Sequence, residues 1–241
     1  MQVLISGSSG LIGSALFPFL ENQGITVKRL GRARAGQACT GPSWDPEQGA
    51  LDSRVFDGMD AVIHLAGESI AQGRWTAGRK ARIRDSRVRS TRLLSETLAR
   101  LDRPPESLLC ASAVGYYGYA GDTALTEDSP SGTGFLAGVC REWEKACDPA
   151  RGKGIRVAHL RIGVVLARHG GALQKMLTPF KMCMGGPVGH GRQYWSWIAL
   201  DDVAGAIHHA LTEKNLAGPI NLVSPSPVTN REFSKVLGKV L

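Results

Sequence analysis

At 241 residues, 43% hydrophobic and 21% charged, the chain has enough apolar material to bury a core, and its composition excludes a disordered or low-complexity protein. No apolar run reaches the roughly 20 residues needed to span a bilayer, and the N-terminus lacks the basic region, apolar run and cleavage site of a targeting signal. The net charge of +8 admits an anionic ligand.

In chain order, QVLIS reads as a strand, LIGSALFPFLENQG as a helix and ITVKRL as a second strand. AVIHLAG is a third strand, and residues 75–101 keep Ile83, Val88, Leu93, Leu94 and Leu98 near helical spacing. SLLCASA is a strand, GFLAGVCREWEKACDPA a helix and IRVAHLRIG a strand. ALQKMLTPFKMCM, DDVAGAIHHALTE and NREFSKVLGKVL read as helices, with the strand GPINLVS between the last two. Apolar strands alternating with helices mean an α/β protein whose parallel sheet is covered on both faces, a doubly wound arrangement. A single domain over 1–241 is expected, with roughly 165–241 supplying small C-terminal substrate-binding elements. Five cysteines (Cys39, Cys110, Cys140, Cys147, Cys183) show neither C-x-x-C nor zinc spacing, so no metal site is expected and a cytoplasmic location is. Cys140 and Cys147 read as core residues on one helix face. The basic segment 74–94 lacks the interleaved aromatics of a single-strand nucleic-acid platform. A solvated helix face that also helps to bind an anionic cofactor is therefore preferred to a nucleic-acid surface. The helical pattern reaches Leu241 without a terminating glycine, which suggests a shortened C-terminus.

The first strand runs into SGSSGLIG, with Gly7, Gly10 and Gly13 in the pattern G-x-x-G-x-x-G before a helix. Gly7 permits a tight turn, Gly10 lets the backbone approach a diphosphate, and Gly13 lets the helix pack close to the strand. The helix N-terminus then offers free N–H groups to the anion. Ser9, Leu11 and Ile12 lie between the glycines and complete the expected cofactor-binding loop. After the second strand come Gly31 and Arg32, with Arg34 beyond, where an NAD site would place a carboxylate for the ribose hydroxyls. A guanidinium there suits a 2′-phosphate, so NADP(H) is the expected cofactor, with Gly31 and Arg32 at its adenosine end.

These motifs, with DAVIHLAG and the Asp pair after WSWIAL, resemble the extended short-chain dehydrogenase/reductases. LAGESI, SRVRST, SAVGYYG, FLAGVCREWE, RIGVVLARHGGAL, GGPVGHGRQYWSWI and NLVSPSPVTNREF make the chain more similar to the atypical NADP-binding "epimerase family" branch of that group. The resemblance implies a Rossmann fold, a small-molecule substrate such as a sugar or carbonyl compound, and a homodimer paired through helix 75–101, which the charge of that helix opposes. It also implies that Leu65, Ala66 and Gly67 line the cofactor, with Glu68 the next candidate. Arg87 stands where extended relatives carry an asparagine, and can reach a phosphate or an anionic substrate. Arg82 is a weaker candidate of the same kind, and Arg161 joins the expected cofactor-binding set.

The parent group's reaction uses a tyrosine as acid/base with a lysine four residues later. The four tyrosines are Tyr116, Tyr117, Tyr119 and Tyr194, and four residues after them stand Ala120, Gly121, Thr123 and Ile198, so no Tyr-x-x-x-Lys exists. In TGFLAGVCREWEK the pair falls on Phe135 and Val139 or on Leu136 and Cys140. Ser112 survives from the parental serine-rich strand end, followed by Ala113. The candidate catalytic residues are therefore Ser112, Tyr116 and Tyr117, with Lys145, Arg87 or Arg161 to lower a tyrosine pKa. Glu142 and Glu144 read as helix-dipole partners. In the glycine-rich stretch 185–197, His190 and Arg192 could bind an anion, or the stretch is a packed surface loop. Two readings follow: an NADP(H)-dependent oxidoreductase or nucleotide-sugar-epimerase-like enzyme, and a non-catalytic NADP(H)-binding redox sensor or scaffold. Titration with both dinucleotides checks the cofactor: NADP(H) binds more tightly than NAD(H), and Arg32→Glu lowers the affinity for NADP(H). Equal affinities, or an unaffected variant, contradict the expectation.

Overall fold

The computed structural model describes residues 1–33, 41–71 and 73–241; Arg34 and Cys39 lie outside the described residues. Strand β1 (Gln2–Ser6) leads into helix α1 (Leu11–Asn22), which Gly24 ends at φ +75°. β2 (Thr26–Arg32), β3 (Ser43–Asp45), β4 (Ala50–Leu51) and β5 (Ala61–His64) follow, then the long helix α2 (Ala77–Ala99), capped by the Thr76 side chain. β6 (Ser107–Ala113) ends in a 3₁₀ turn, Val114–Tyr117, ahead of α3 (Phe135–Lys145) and α4 (Asp148–Gly152). The remainder is β7 (Arg156–Ile162), β8 (Val164–Leu166), α5 (Gly171–Lys181), β9 (Tyr194–Trp195), β10 (Trp197–Ala199), α6 (Leu200–Thr212), β11 (Gly218–Leu222), β12 (Val228–Thr229) and α7 (Asn230–Val240).

The main sheet has the order β11-β7-β6-β5-β1-β2-β3-β4, parallel throughout except for the β3–β4 pair. This is the doubly wound arrangement expected from the alternating pattern. α1 packs with α6, and α2 with α3 and α4. The strand order reverses between β1 and β5, so the crevice for a ligand lies at the C-terminal ends of those two strands. β1, β5 and β6 are buried along nearly their whole length, as a covered parallel sheet requires.

One expected helix is two. The pattern GFLAGVCREWEKACDPA breaks at Ala146–Cys147, because Pro149 has no N–H to continue the ladder and begins a new helix instead. Cys140 and Cys147 are both buried, but Cys147 caps α4 and does not share the α3 face. The short strands β3, β4, β8, β9, β10 and β12 were also not expected from the sequence; each has two or three residues. α7 begins on a reciprocal capping box between Thr229 and Glu232. No helix among the described residues is long and apolar enough to cross a membrane.

One face of the sheet carries a polar row. The register sets Ser6 beside His64, His64 beside Cys110 and Cys110 beside His159. His64 is fully buried at the switch point, with Ser6 Oγ 2.6 Å from Nδ1 and Ser90 Oγ 3.3 Å from Nε2. Burial lowers its pKa from 6.5 to about 4. Between those two values the unfolded chain binds a proton that folded His64 refuses. Stability is therefore complete above the unfolded value and falls as pH drops through the window, by about 3 kcal/mol in full. Urea unfolding of wild type and His64→Gln at pH 7 and pH 4.5 checks this: the stability gap between them narrows by about 2–3 kcal/mol at the lower pH. A gap independent of pH contradicts it.

Candidate active site

The crevice is built on backbone that no side chain could enter. A Cβ on Gly7, which sits at φ +75°, would lie 2.7 Å from Ala66 N and from the Leu65 carbonyl carbon. A Cβ on Gly13 would overlap the Gly7 carbonyl oxygen and lie 2.7 Å from Ser8 Cα. Gly10 caps α1 in extended conformation, donates to the Gly7 carbonyl at 3.1 Å, and faces no other crowding atom. The first turn of α1 holds no acidic residue and no capping side chain, so the N–H groups of Leu11, Ile12 and Gly13 remain for an anion. Leu65 donates its N–H to the Ser6 carbonyl at 3.0 Å, which brings Leu65 and Ala66 against the glycine loop. Ser9 lies exposed on that loop. These features fit a dinucleotide diphosphate.

Gly31 and Arg32 end β2 next to this crevice, and Arg32 Nη2 pairs with Glu47 at 2.6 Å. The side chains are 53% and 81% exposed, and exposed pairs of this kind contribute about 0–1 kcal/mol. A 2′-phosphate can displace Glu47 at small cost.

Glu68 is engaged by arginines. It pairs with Arg79, and Arg82 Nε lies 3.8 Å from the same oxygen. Its N–H donates to Ser86 Oγ. The structure thus gives Glu68 and Arg82 each other as partners, with Arg79, which is only 7% exposed, closing the group through Ser69 O. Arg87 lies over Gly67, where an added Cβ would sit 3.4 Å from the guanidinium carbon. Burial lowers the Arg87 pKa.

The second half of the site is a cross-strand ladder. Ser112 on β6, Arg161 on β7 and Asn221 on β11 are direct neighbours at the C-terminal ends of their strands. Glu144 from α3 closes over them. Ser112 Oγ donates to Glu144 Oε1 at 2.7 Å, and Arg161 binds both carboxylate oxygens at 2.9 and 3.0 Å. Arg161 Nη1 donates to Tyr117 Oη at 2.9 Å and to the Glu127 carbonyl, while Tyr117 donates to Asn221 Oδ1 at 2.6 Å. Arg161 is 3% exposed; burial alone would pull its pKa down, but the hydrogen bonds and charge of Glu144 and Tyr117 raise it on balance. The guanidinium is stacked on Tyr116, 3.6 Å from the ring centroid.

This geometry separates the three candidate catalytic residues. Ser112 is buried and committed to Glu144, and Tyr117 is buried and committed at its hydroxyl to Arg161 and Asn221. Tyr116 is half-buried, and its hydroxyl makes no hydrogen bond to any described residue. Lys145 is exposed on α3, while Arg161 touches both tyrosines. Phe135, at the first of the two positions where a Tyr-x-x-x-Lys pair would fall, packs edge-on to Trp75 with Lys80 Nζ 5.5 Å from its ring centroid. Val139 is buried. Cys140, below Gly115, is pushed up to about 11 by burial and is a neutral thiol.

Glu142 and Glu144 are not the helix-dipole partners the sequence suggests. α3 begins at Phe135, so both lie in its C-terminal part, where the dipole disfavours a carboxylate. Arg84 and Arg161 hold them there instead. Glu144, Asn221, Glu127 and Arg79 are the site residues that motif reading did not select. In the 185–197 stretch, His190 Nδ1 accepts from Arg192 N and Asn230 Oδ1 accepts from Val188 N, so internal hydrogen bonds hold part of the loop.

A doubly wound parallel sheet with a glycine cradle at its switch point defines a nucleotide-binding protein of the Rossmann class. More narrowly, the chain belongs to the NAD-dependent epimerase/dehydratase family, whose model matches residues 3–222. It is 45% identical over 239 residues to epimerase family protein Mb2239 of Mycobacterium bovis, covering 99% of this chain and 78% of that protein. Among solved structures it is similar to human epimerase family protein SDR39U1 (isoform 2) with NADPH, at a TM-score of 0.86 and 33% identity, covering 99% of this chain and 79% of that one. It is also similar to the nucleoside-diphosphate sugar epimerase of Corynebacterium glutamicum, at a TM-score of 0.85 and 39% identity. That match covers all of this chain and spans 50% of the Corynebacterium chain.

The Glu144–Arg161 pair yields a direct test. Glu144→Gln leaves a buried guanidinium without its counter-charge, which costs about 3 kcal/mol in urea unfolding. A loss below about 0.5 kcal/mol would show that solvent, not Glu144, compensates Arg161.

Proposed function

We propose that the crevice binds NADP(H), with the diphosphate on the α1 N-terminus and Arg32 on the 2′-phosphate, and that the protein interconverts a carbonyl and a carbinol on a small molecule such as a nucleotide sugar. The observation that carries this reading is the glycine cradle, whose backbone approach at Gly7 and Gly13 serves a ligand that must touch main chain. The NADPH in the human relative's structure and the sugar-nucleotide name of the Corynebacterium relative support it.

When bound, the nicotinamide supplies or accepts the hydride. The protein's own residues supply the proton. Tyr116 is the acid in this scheme: it sits just past β6, its hydroxyl has no partner among the described residues, and the Arg161 guanidinium on its ring stabilises a developing phenolate. Ser112, Tyr117 and Asn221 act one step removed. They hold Glu144 and Arg161 so that the cation stays stacked on the Tyr116 ring. Phe135 and Val139, like Leu136 and Cys140 in the other register, put no tyrosine–lysine pair on α3, and so take no part in proton transfer. Residues from about 165 onward, including α5 and the 185–197 loop, supply the substrate side within a single domain.

NADPH oxidation across a panel of nucleotide sugars and carbonyl compounds tests the scheme. Tyr116→Phe lowers turnover by about 100-fold or more while the NADPH dissociation constant stays within about twofold. A Tyr116→Phe protein with undiminished turnover overturns the assignment. NADPH binding without turnover on any substrate favours the sensor reading.

A further inference from the structure

The sheet face that carries His64 also carries a pair of thiols that the crevice does not use. From α3 into the turn before α4 the chain runs antiparallel to β6, rung by rung. Cys140 lies below Gly115, Glu144 accepts from Ser112 Oγ at 2.7 Å, and Cys147 meets Cys110. Both thiols of the last rung are fully buried. Thr91 Oγ1 from α2 lies 4.0 Å from the Cys110 sulfur and accepts from Trp143 Nε1 at 2.9 Å. The register sets His159 of β7 directly beside Cys110. Arg151 of α4 donates from Nη2 to His159 Nε2 at 2.8 Å and from Nη1 to Asp148 at 2.5 Å. A guanidinium has no acceptor, so Nε2 carries the lone pair and the ring proton sits on Nδ1. Nδ1 is buried and has no oxygen or nitrogen partner among the described residues. The Cys147 sulfur, which hydrogen-bonds this ring, is the acceptor left for it. Hydrogen bonds from Cys110 and His159, with the Arg151 charge nearby, lower the Cys147 pKa against the effect of burial. Burial, with Cys147 and Glu144 close by, raises that of Cys110. The pair is therefore asymmetric: Cys147 is the readier thiolate and Cys110 its proton-bearing neighbour. Arg151 is half-exposed, so the cluster lies one side chain beneath the surface.

We propose that Cys110 and Cys147 form a redox-active dithiol that a hydroperoxide converts to a disulfide. The Cys147 thiolate attacks one oxygen of hydrogen peroxide; the O–O bond breaks, a sulfenic acid forms and hydroxide leaves. The Cys110 sulfur then attacks the Cys147 sulfur. The S–S bond forms as the S–O bond breaks, and the Cys110 proton departs with the leaving oxygen as water. The two thiols lose two electrons in all, and the peroxide gains them. The new bond fastens the α3–α4 turn to β6, one rung from the Ser112–Glu144 contact, and a dithiol reductant reverses it. No dinucleotide takes part, so the proposal stands apart from the reading of the crevice.

The test treats the folded full chain with hydrogen peroxide at pH 7, removes the peroxide with catalase, unfolds the protein in N-ethylmaleimide and maps its peptides by mass. A peptide pair joined through Cys110 and Cys147, about 2 Da lighter than the two thiol peptides together and released by dithiothreitol, supports the proposal. Cys140, the neighbouring buried thiol that stays neutral, remains free and alkylated. Cys110→Ser leaves a dimedone-reactive sulfenic acid at Cys147, whereas Cys147→Ser leaves Cys110 unoxidised; together these establish the order of attack. Arg151→Met slows disulfide formation by about tenfold at pH 7 and much less at pH 9, because it lowers the thiolate fraction and leaves the packing intact. Should either serine variant fail to melt cooperatively, wild type and Arg151→Met decide. Wild type in which Cys110 and Cys147 both remain alkylatable, at peroxide that oxidises the exposed Cys183, overturns the proposal. A bond from either thiol to Cys140, or equal rates in wild type and Arg151→Met at both pH values, overturns it as well.

Discussion

The close approach of two pieces of backbone organises everything else in this molecule. The loop after β1 touches the segment after β5 so tightly that Gly7 cannot carry a Cβ, and α1 packs so near the same loop that Gly13 cannot either. That contact leaves the α1 N-terminus aimed into the crevice and sets Gly67, and with it Arg87, at its edge. His64 supports the same point from beneath, neutral and held between Ser6 and Ser90. A charged or misdirected imidazole there would disturb the two strand ends that form the crevice.

A second, independent constraint acts at the C-terminal ends of β6, β7 and β11. Three adjacent strands end in Ser112, Arg161 and Asn221, and α3 lowers Glu144 onto them. A buried ion pair of this kind contributes little net stability, because desolvation offsets much of its attraction. It does fix geometry: Tyr117 is held by two hydrogen bonds and Tyr116 lies under a cation that cannot move away. α3 therefore remains essential although it has no tyrosine–lysine pair. Its contribution is Glu144, one position before its last residue, and an apolar wall of Phe135 and Val139.

The parts of this arrangement that depend on local pattern could be read from the chain. Apolar strands alternating with helices gave the doubly wound sheet, and SLLCASA matches β6 residue for residue. The glycine spacing after β1 identified the cradle, since each glycine answers a local steric demand. The parts that depend on register could not be read. Nothing in RIGVVLARHGG or INLVS says that Arg161 and Asn221 stand side by side with Ser112, because that follows from strand order and alignment. The helix-dipole reading of Glu144 follows from a helical pattern that runs on through ACDPA and puts the residue near its middle, whereas α3 ends at Lys145 and a new helix begins at Asp148. Arg79, buried through a pair with Glu68, looked like its five exposed or half-exposed arginine neighbours on a basic helix.

The central proposal is that one crevice joins the glycine cradle and Tyr116 around a single dinucleotide. A crystal structure of the protein with NADPH tests it most directly. The account predicts the diphosphate within hydrogen-bond distance of the Leu11–Gly13 N–H groups, and the Tyr116 hydroxyl facing the nicotinamide across space for a substrate oxygen. NADPH seated away from α1, or a nicotinamide facing Phe135 with Tyr116 turned out of the crevice, would contradict it.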